Sequence, residues 1–132
     1  MAVSLQLELV TPERQLISRE VTSVVVPGQD GDFGVLPGHA PFLSLVRAGV
    51  VTIDEDEHFA VTGGYAEAVP ERVTLLVDLA EPGEGIDRGE AEENHRQAQE
   101  AFAALSPDDP DYENRKADLG FAKARLDASP KP

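Results

Sequence analysis

The chain of 132 residues contains no cysteine, so a disulfide framework and a thiolate metal site are both excluded, and a small secreted scaffold with them. No run reaches the roughly 18 uninterrupted apolar residues that a membrane-spanning helix requires, so direct membrane insertion is not expected. The opening residues Met1-Ala2-Val3-Ser4 lack the basic start and apolar stretch of a signal peptide, so the chain is expected to stay in the compartment where it is made. Basic residues are scarce. Eleven Lys and Arg against 25 Asp and Glu leave a net charge of −14, which argues against nucleic acid as a partner because phosphates need cations to neutralise them. No glycine-rich segment carries the Lys and Ser/Thr of a phosphate loop, and none opens a helix after a strand in the manner of a dinucleotide fingerprint.

What is present is a hydrophobic content of 41%, sufficient for one compact domain or a small domain with an appendage. The charge is unevenly spread. Residues 1–111 carry 22 acidic and 6 basic side chains, whereas 112–132 carry 3 acidic and 5 basic. The cationic C-terminal segment fits either a solvated helix whose basic residues complement its dipole or a surface that meets an acidic partner.

The first eighty residues have the pattern of strands. Leu5, Leu7 and Leu9 alternate with Gln6 and Glu8, the period of a strand with one buried face, until Thr11-Pro12-Glu13 breaks it. Val21 to Val26 forms a β-branched run stopped by Pro27-Gly28. Further runs follow at Leu43–Val46, Val50–Ile53, His58–Thr62, Tyr65–Val69 and Val73–Val77, the spacing of an antiparallel sandwich or barrel. Four consecutive carboxylates, Asp54-Glu55-Asp56-Glu57, lack the alternation, central glycine and distal Glu of a calcium loop and read as a polar hairpin tip. Gly63-Gly64 marks a turn, a bulge or a close approach of another backbone.

Between Asp30 and Phe42 the chain holds three glycines and two prolines interleaved with Phe33, Val35 and Leu36, so it reads as an ordered, tightly turned surface loop. Asp32 and His39 are the ionisable side chains it could present. They could in principle make an acid/base pair, but no nucleophile, orienting group or cofactor loop accompanies them, and no catalytic residue is assigned.

After Glu81-Pro82-Gly83-Glu84-Gly85 the β-branched residues all but vanish. The expected division is a β domain over 1–80, a hinge over 81–86 and a helical hairpin with a short Pro-containing tail over 87–132. Asp87 is placed as a helix cap with Glu90 three residues on. The first helix carries one stripe, Ala91, His95, Ala98, Phe102 and Leu105, and runs to about Ala104. The turn 106–111 ends it and is expected to cap the second helix, about Tyr112 to Asp127. That helix has two stripes: Tyr112, Leu119, Ala122 and Leu126 on one side, and Ala117, Phe121, Ala124 and Ala128 on the other. With Leu119 and Phe121 about 200° apart around the axis, it needs two neighbours. One is the first helix; the other is the β domain or a different subunit. Both stripes are rich in alanine, so docking should be weak and the hairpin detachable.

This order of parts, with Gly-Asp-Phe-Gly-Val-Leu-Pro-Gly-His-Ala-Pro at 31–41, Leu-Val-Thr-Pro-Glu-Arg at 9–14 and Thr-Gly-Gly-Tyr-Ala-Glu at 62–67, closely resembles the epsilon-subunit family of bacterial F-type ATP synthases over the whole chain. The resemblance implies an α+β protein: a ten-stranded antiparallel β-sandwich followed by an antiparallel two-helix hairpin. It implies a non-catalytic rotor subunit at the foot of the central stalk, peripheral on the cytoplasmic side of the inner membrane, packed on the gamma subunit and touching the membrane ring of c subunits. Asp32, Gly34 and His39 fall at the positions that would meet the ring or gamma. The hairpin would lie on the sandwich or extend into the alpha/beta catalytic head and restrain ATP hydrolysis, with Arg115, Lys116, Lys123 and Arg125 facing acidic residues there. Some members bind ATP through Ile/Leu-Asp-x-x-Arg-Ala. Here Ile86, Asp87 and Ala91 match, but Glu90 stands in place of the arginine, a carboxylate where a phosphate should be attracted. No resident cofactor is expected, with ATP at most a regulatory ligand. The alternative is a free-standing β-sandwich interaction module with a helical tail.

Overall fold

The computed structural model describes residues 4–131. Ten strands come first: β1 (Leu5–Val10), β2 (Gln15–Val21), β3 (Val24–Gly28), β4 (Gly31–Val35), β5 (Phe42–Val46), β6 (Gly49–Ile53), β7 (Glu57–Val61), β8 (Gly64–Val69), β9 (Arg72–Val77) and β10 (Ala80–Pro82). A 3-10 turn, Gly83–Gly85, leads to helices α1 (Arg88–Ala103) and α2 (Tyr112–Ala128). The strands pair in the order β10-β7-β6-β3-β5-β8-β9-β1-β2, with β4 on β3. Strand β3 joins the two layers, since Val24 and Val25 pair with β6 while Gly28 pairs with Val46 of β5. At the far side an ion pair between Arg19 of β2 and Glu57 of β7 spans the two layers.

The expected ten-stranded sandwich and two-helix appendage are therefore present, with one qualification to the antiparallel rule. Strands β1 and β9 pair in parallel, from Gln6 opposite Arg72 to Val10 opposite Leu76. These strands are distant in sequence, so no tight hairpin dictates their direction. Alternation works as expected in β1, where Leu5, Leu7 and Leu9 are buried. They meet Val24, Val26, Val35, Val51, Ile53, Val61, Val73 and Leu75 in one core.

Three local expectations are corrected. The run Val21–Val26 is not one strand: it breaks at Thr22-Ser23, whose main-chain N–H groups donate to the Asp54 carboxylate instead of to a ladder, at 2.7 and 3.2 Å. Pro27-Gly28 does not stop β3 but belongs to it, with Pro27 opposite Asp32. The first part of the 30–42 segment is strand β4 rather than loop, and the true loop is only 36–41. The turn between β6 and β7 is tight, with Asp54 and Glu55 both at positive φ (51° and 71°) and the Asp56 N–H donating to the Ile53 carbonyl, the geometry of a primed hairpin turn. Gly64 marks a close approach of backbones, since a methyl there would stand 1.9 Å from the Leu76 carbonyl oxygen.

The stretch 81–86 is structured: Glu81 and Pro82 belong to β10, which pairs with β7. Asp87 caps α1 by accepting from the Glu90 N–H at 2.8 Å. The second cap differs from expectation, because the Asp111 side chain makes no capping hydrogen bond. Asp109 instead accepts from the Asp111 N–H, closing the turn just before the helix. Helix α2 lies between α1 and strands β6 and β7. Ala124 and Ala128 are buried with Ala60, Ile86 and Ala91, and Val50, Phe121 and Leu126 pack around them. The two-stripe division is thus modified. Leu126 joins the seam with the Phe121 stripe, while Ala117 is exposed.

Candidate functional site

Adjacent residues of a strand point to opposite sides of the sheet, and on β4 this sends Asp32 and Phe33 opposite ways, while His39 lies beyond the strand in the 36–41 loop. Asp32 projects outward, its side chain 59% exposed, and accepts from Arg47 Nη2 at 2.7 Å. Phe33 turns inward and meets Phe42 edge to face, with centroids 5.2 Å apart. The His39 ring lies 5.0 Å from that same Phe42, half-buried, with its Nε2 shielded and without a hydrogen-bond partner among the described residues. Asp32 and His39 are not brought together as a pair. Gly34 is exposed on β4, and nothing lies within 4 Å of where its Cβ would be. Gly38 takes φ +86° and donates its N–H to the Pro70 carbonyl at 2.8 Å, which anchors the loop tip to the β8–β9 turn.

The hairpin lies against the sandwich along a thin seam. Gly120 faces Ala48, whose Cβ would be 3.2 Å from a Cβ added to Gly120, so the small residue lets α2 approach the β5–β6 turn. At the other end, Gly83 is buried against the Ala128 carbonyl. The basic residues of α2 have different surroundings. Arg115 pairs with Asp118 at 3.7 Å and Lys123 with Asp127 at 2.8 Å, both within the helix. Lys116 is exposed and makes no ion pair among the described residues. Arg125 is only 17% exposed, with Nε 2.8 Å from Glu81 Oε1 and Nη2 3.8 Å from Glu90 Oε1. The hydrogen bond to Glu81 and the charges of both carboxylates push its pKa above the ordinary arginine value.

The residues that match a nucleotide motif are occupied in the fold. Ile86 and Ala91 are buried in the seam, and Asp87 caps α1. Arg88 donates to Ser129 Oγ at 3.1 Å and to the Leu126 carbonyl at 3.4 Å, holding the end of α2.

A further surface escaped the sequence reading. Leu45 of β5, Tyr65 of β8 and Leu76 of β9 stand in register across three neighbouring strands, exposed by 49%, 55% and 46%, and Leu43 lies two residues along β5 at 71%. The signal was in β5 itself, where Phe42, Ser44 and Val46 take the inward positions and yet Leu43 and Leu45 face out, so both faces of the strand carry apolar side chains. These four side chains make a continuous exposed apolar row on an otherwise acidic chain.

Residues 4–83 match the family described as ATP synthase, Delta/Epsilon chain, beta-sandwich domain. Over nearly the whole chain the sequence is 42% identical to the ATP synthase epsilon chain of Magnetococcus marinus, covering 97% of this chain and 96% of that one. It is 39% identical to the epsilon chain of Myxococcus xanthus, covering 95% and 94%. The fold is similar to a chain of the Euglena gracilis mitochondrial ATP synthase OSCP/F1/c-ring structure, with TM-score 0.80, 20% identity and coverage of 97% and 82%. It also resembles a chain of the Tetrahymena thermophila central stalk/c-ring, with TM-score 0.65, 14% identity and 96% coverage of both.

Proposed function

The chain belongs to the ATP synthase epsilon-chain family, and from that premise we propose that it is a non-catalytic rotor subunit coupling the gamma subunit to the membrane ring of c subunits, and that its hairpin restrains ATP hydrolysis. The observation that carries the first half is the exposed row Leu43, Leu45, Tyr65 and Leu76. It offers gamma an apolar face on a rigid three-strand platform, which transmits torque without chemistry. Asp32, already oriented by Arg47, supplies a carboxylate beside Gly34 for the polar contact with the ring or gamma, and the loop bearing His39 completes that end. In this reading the subunit is peripheral, on the cytoplasmic side of the inner membrane. Among the described residues no helix is long and apolar enough to cross a membrane.

The second half rests on the thinness of the hairpin seam. Phe121 and a few alanines contribute on the order of 2–4 kcal/mol of burial, a scale at which a competing partner shifts the population. Once released, Arg115, Lys116, Lys123 and Arg125 present a cationic helix to acidic residues of the alpha/beta head. The reading requires no cofactor. ATP as a regulatory ligand at Ile86, Asp87 and Ala91 would have to unseat two buried side chains and a helix cap, beside the carboxylate of Glu90.

The test is cross-linking of an Ala128→Cys chain to cysteines placed either on the sandwich or on the catalytic head, in assembled enzyme with and without ATP. Exchange between the two partners is expected. Cross-linking to the sandwich alone under every condition would leave a coupling subunit without an inhibitory hairpin. A chain that forms no complex with gamma would be the free-standing interaction module instead.

A further inference from the structure

We infer that Arg125 is a latch that holds the hairpin in its folded position by bridging Glu81, at the end of the sheet, to Glu90 in the first turn of α1. The guanidinium meets Glu81 fork to fork, Nε to Oε1 at 2.8 Å and Nη2 to Oε2 at 3.4 Å, and its Nη2 also reaches Glu90. Every other ion pair among the described residues lies within one helix or within the sandwich. Arg125 is thus the single cation that ties α2 by charge both to the β domain and to α1. With Arg125 17% and Glu81 36% exposed, this bidentate pair is less screened by water than the ion pairs within the helices. The apolar seam beside it is built largely of alanines, so one such pair forms a large share of what holds the hairpin down.

The position also gives the latch a direction. Arg125 is one turn before Ala128, whose carbonyl rests on Gly83, and Glu81 is two residues before Gly83, so the ion pair and the tightest backbone contact lock the same corner. This inference rests on the reading that the hairpin leaves the sandwich. The guanidinium that would meet acidic residues of the head is, in the folded state, withheld by two internal carboxylates. Acidic groups on the head and Glu81 with Glu90 then compete for one cation, and the folded state needs no nucleotide to hold it.

The test uses the full-length chain carrying Ala124→Cys, a buried seam position in a background without cysteine, and follows the rate at which a thiol reagent labels it. That rate is proportional to the fraction of time the hairpin is open. Glu81→Gln should raise it about tenfold and Glu90→Gln about twofold, while the exchange Glu81→Arg with Arg125→Glu should return it toward the parent. A rate within twofold of the parent in Glu81→Gln, or a double exchange no slower than Arg125→Glu alone, would overturn the latch. Thermal unfolding of the sandwich, unchanged in each variant, separates an open hairpin from a damaged fold. ATP hydrolysis by the assembled complex tests the underlying reading separately. Faster labelling with unaltered hydrolysis keeps the latch and removes the inhibitory role, whereas unaltered labelling removes the latch whatever hydrolysis does.

Discussion

A methyl group on Gly83 would stand 2.1 Å from the carbonyl oxygen of Ala128, so the turn leaving the sheet and the last turn of α2 touch backbone to backbone. Gly83→Ala must therefore push the end of the hairpin off the sandwich. Overpacking of this kind costs about 1–3 kcal/mol, which corresponds to roughly 5- to 150-fold acceleration of hydrogen exchange at α2 amides. Exchange in β1, β8 and β9 should be unaltered. Parental rates in α2 would show that the contact is not needed for docking.

Two other glycines divide sharply. Gly64→Ala puts a methyl 1.9 Å from the Leu76 carbonyl oxygen, inside the sheet, and should lower the unfolding free energy of the sandwich by about 2–3 kcal/mol in denaturant titration. Gly34→Ala meets nothing within 4 Å and should stay within about 0.5 kcal/mol of the parent. Any loss of coupling in assembled enzyme carrying Gly34→Ala therefore reports a partner contact rather than instability.

Much of this architecture is legible in the residues because local and tertiary demands agree. Leu5, Leu7 and Leu9 alternate and are buried, and Asp87 with Glu90 both announces and caps α1. Strand β2 left no clear trace because it is an edge strand with only Ile17 and Val21 buried among Gln15, Ser18, Arg19 and Glu20. The break at Thr22-Ser23 depends on a carboxylate some 31 residues away, which no local pattern encodes. The same holds for the latch: Glu81 and Arg125 are 44 residues apart, and Arg125 read simply as one of four surface cations. Ala117 looked equivalent to Ala124 by spacing, yet it is exposed where Ala124 is buried in the seam.

Asp54 should make stability depend on acid. Its carboxylate accepts foremost from the Thr22 N–H, and also from the Thr22 hydroxyl and the Ser23 N–H, which holds it below its ordinary 3.8. A depressed folded value means that the contribution is fully present above the unfolded value and is lost as pH falls through the folded one. Asp54→Asn keeps an acceptor and tolerates the positive φ but removes the charge. It should be less stable than the parent at pH 7, with the gap closing below about pH 4 in denaturation measured across pH. A gap of the same size at pH 2 and pH 7 would exclude a role for the ionised carboxylate.

The apolar row makes the last prediction. Leu45 and Tyr65 lie directly opposite each other with both side chains about half exposed, so replacing either with Ser should leave folding nearly untouched, within about 0.5 kcal/mol. Buried under a partner, the same side chains would be anchors, and each loss should weaken the complex with gamma by about 1–3 kcal/mol, or roughly 5- to 150-fold in Kd. Isothermal titration with purified gamma reads this directly, with Glu67→Gln on the same strand as a polar neighbour for comparison. A parental Kd in both serine variants would move the gamma contact off this face, and the loop with Asp32 and His39 would then be the surface to test. A loss confined to Leu45→Ser and Tyr65→Ser would instead fix the gamma contact on β5 and β8.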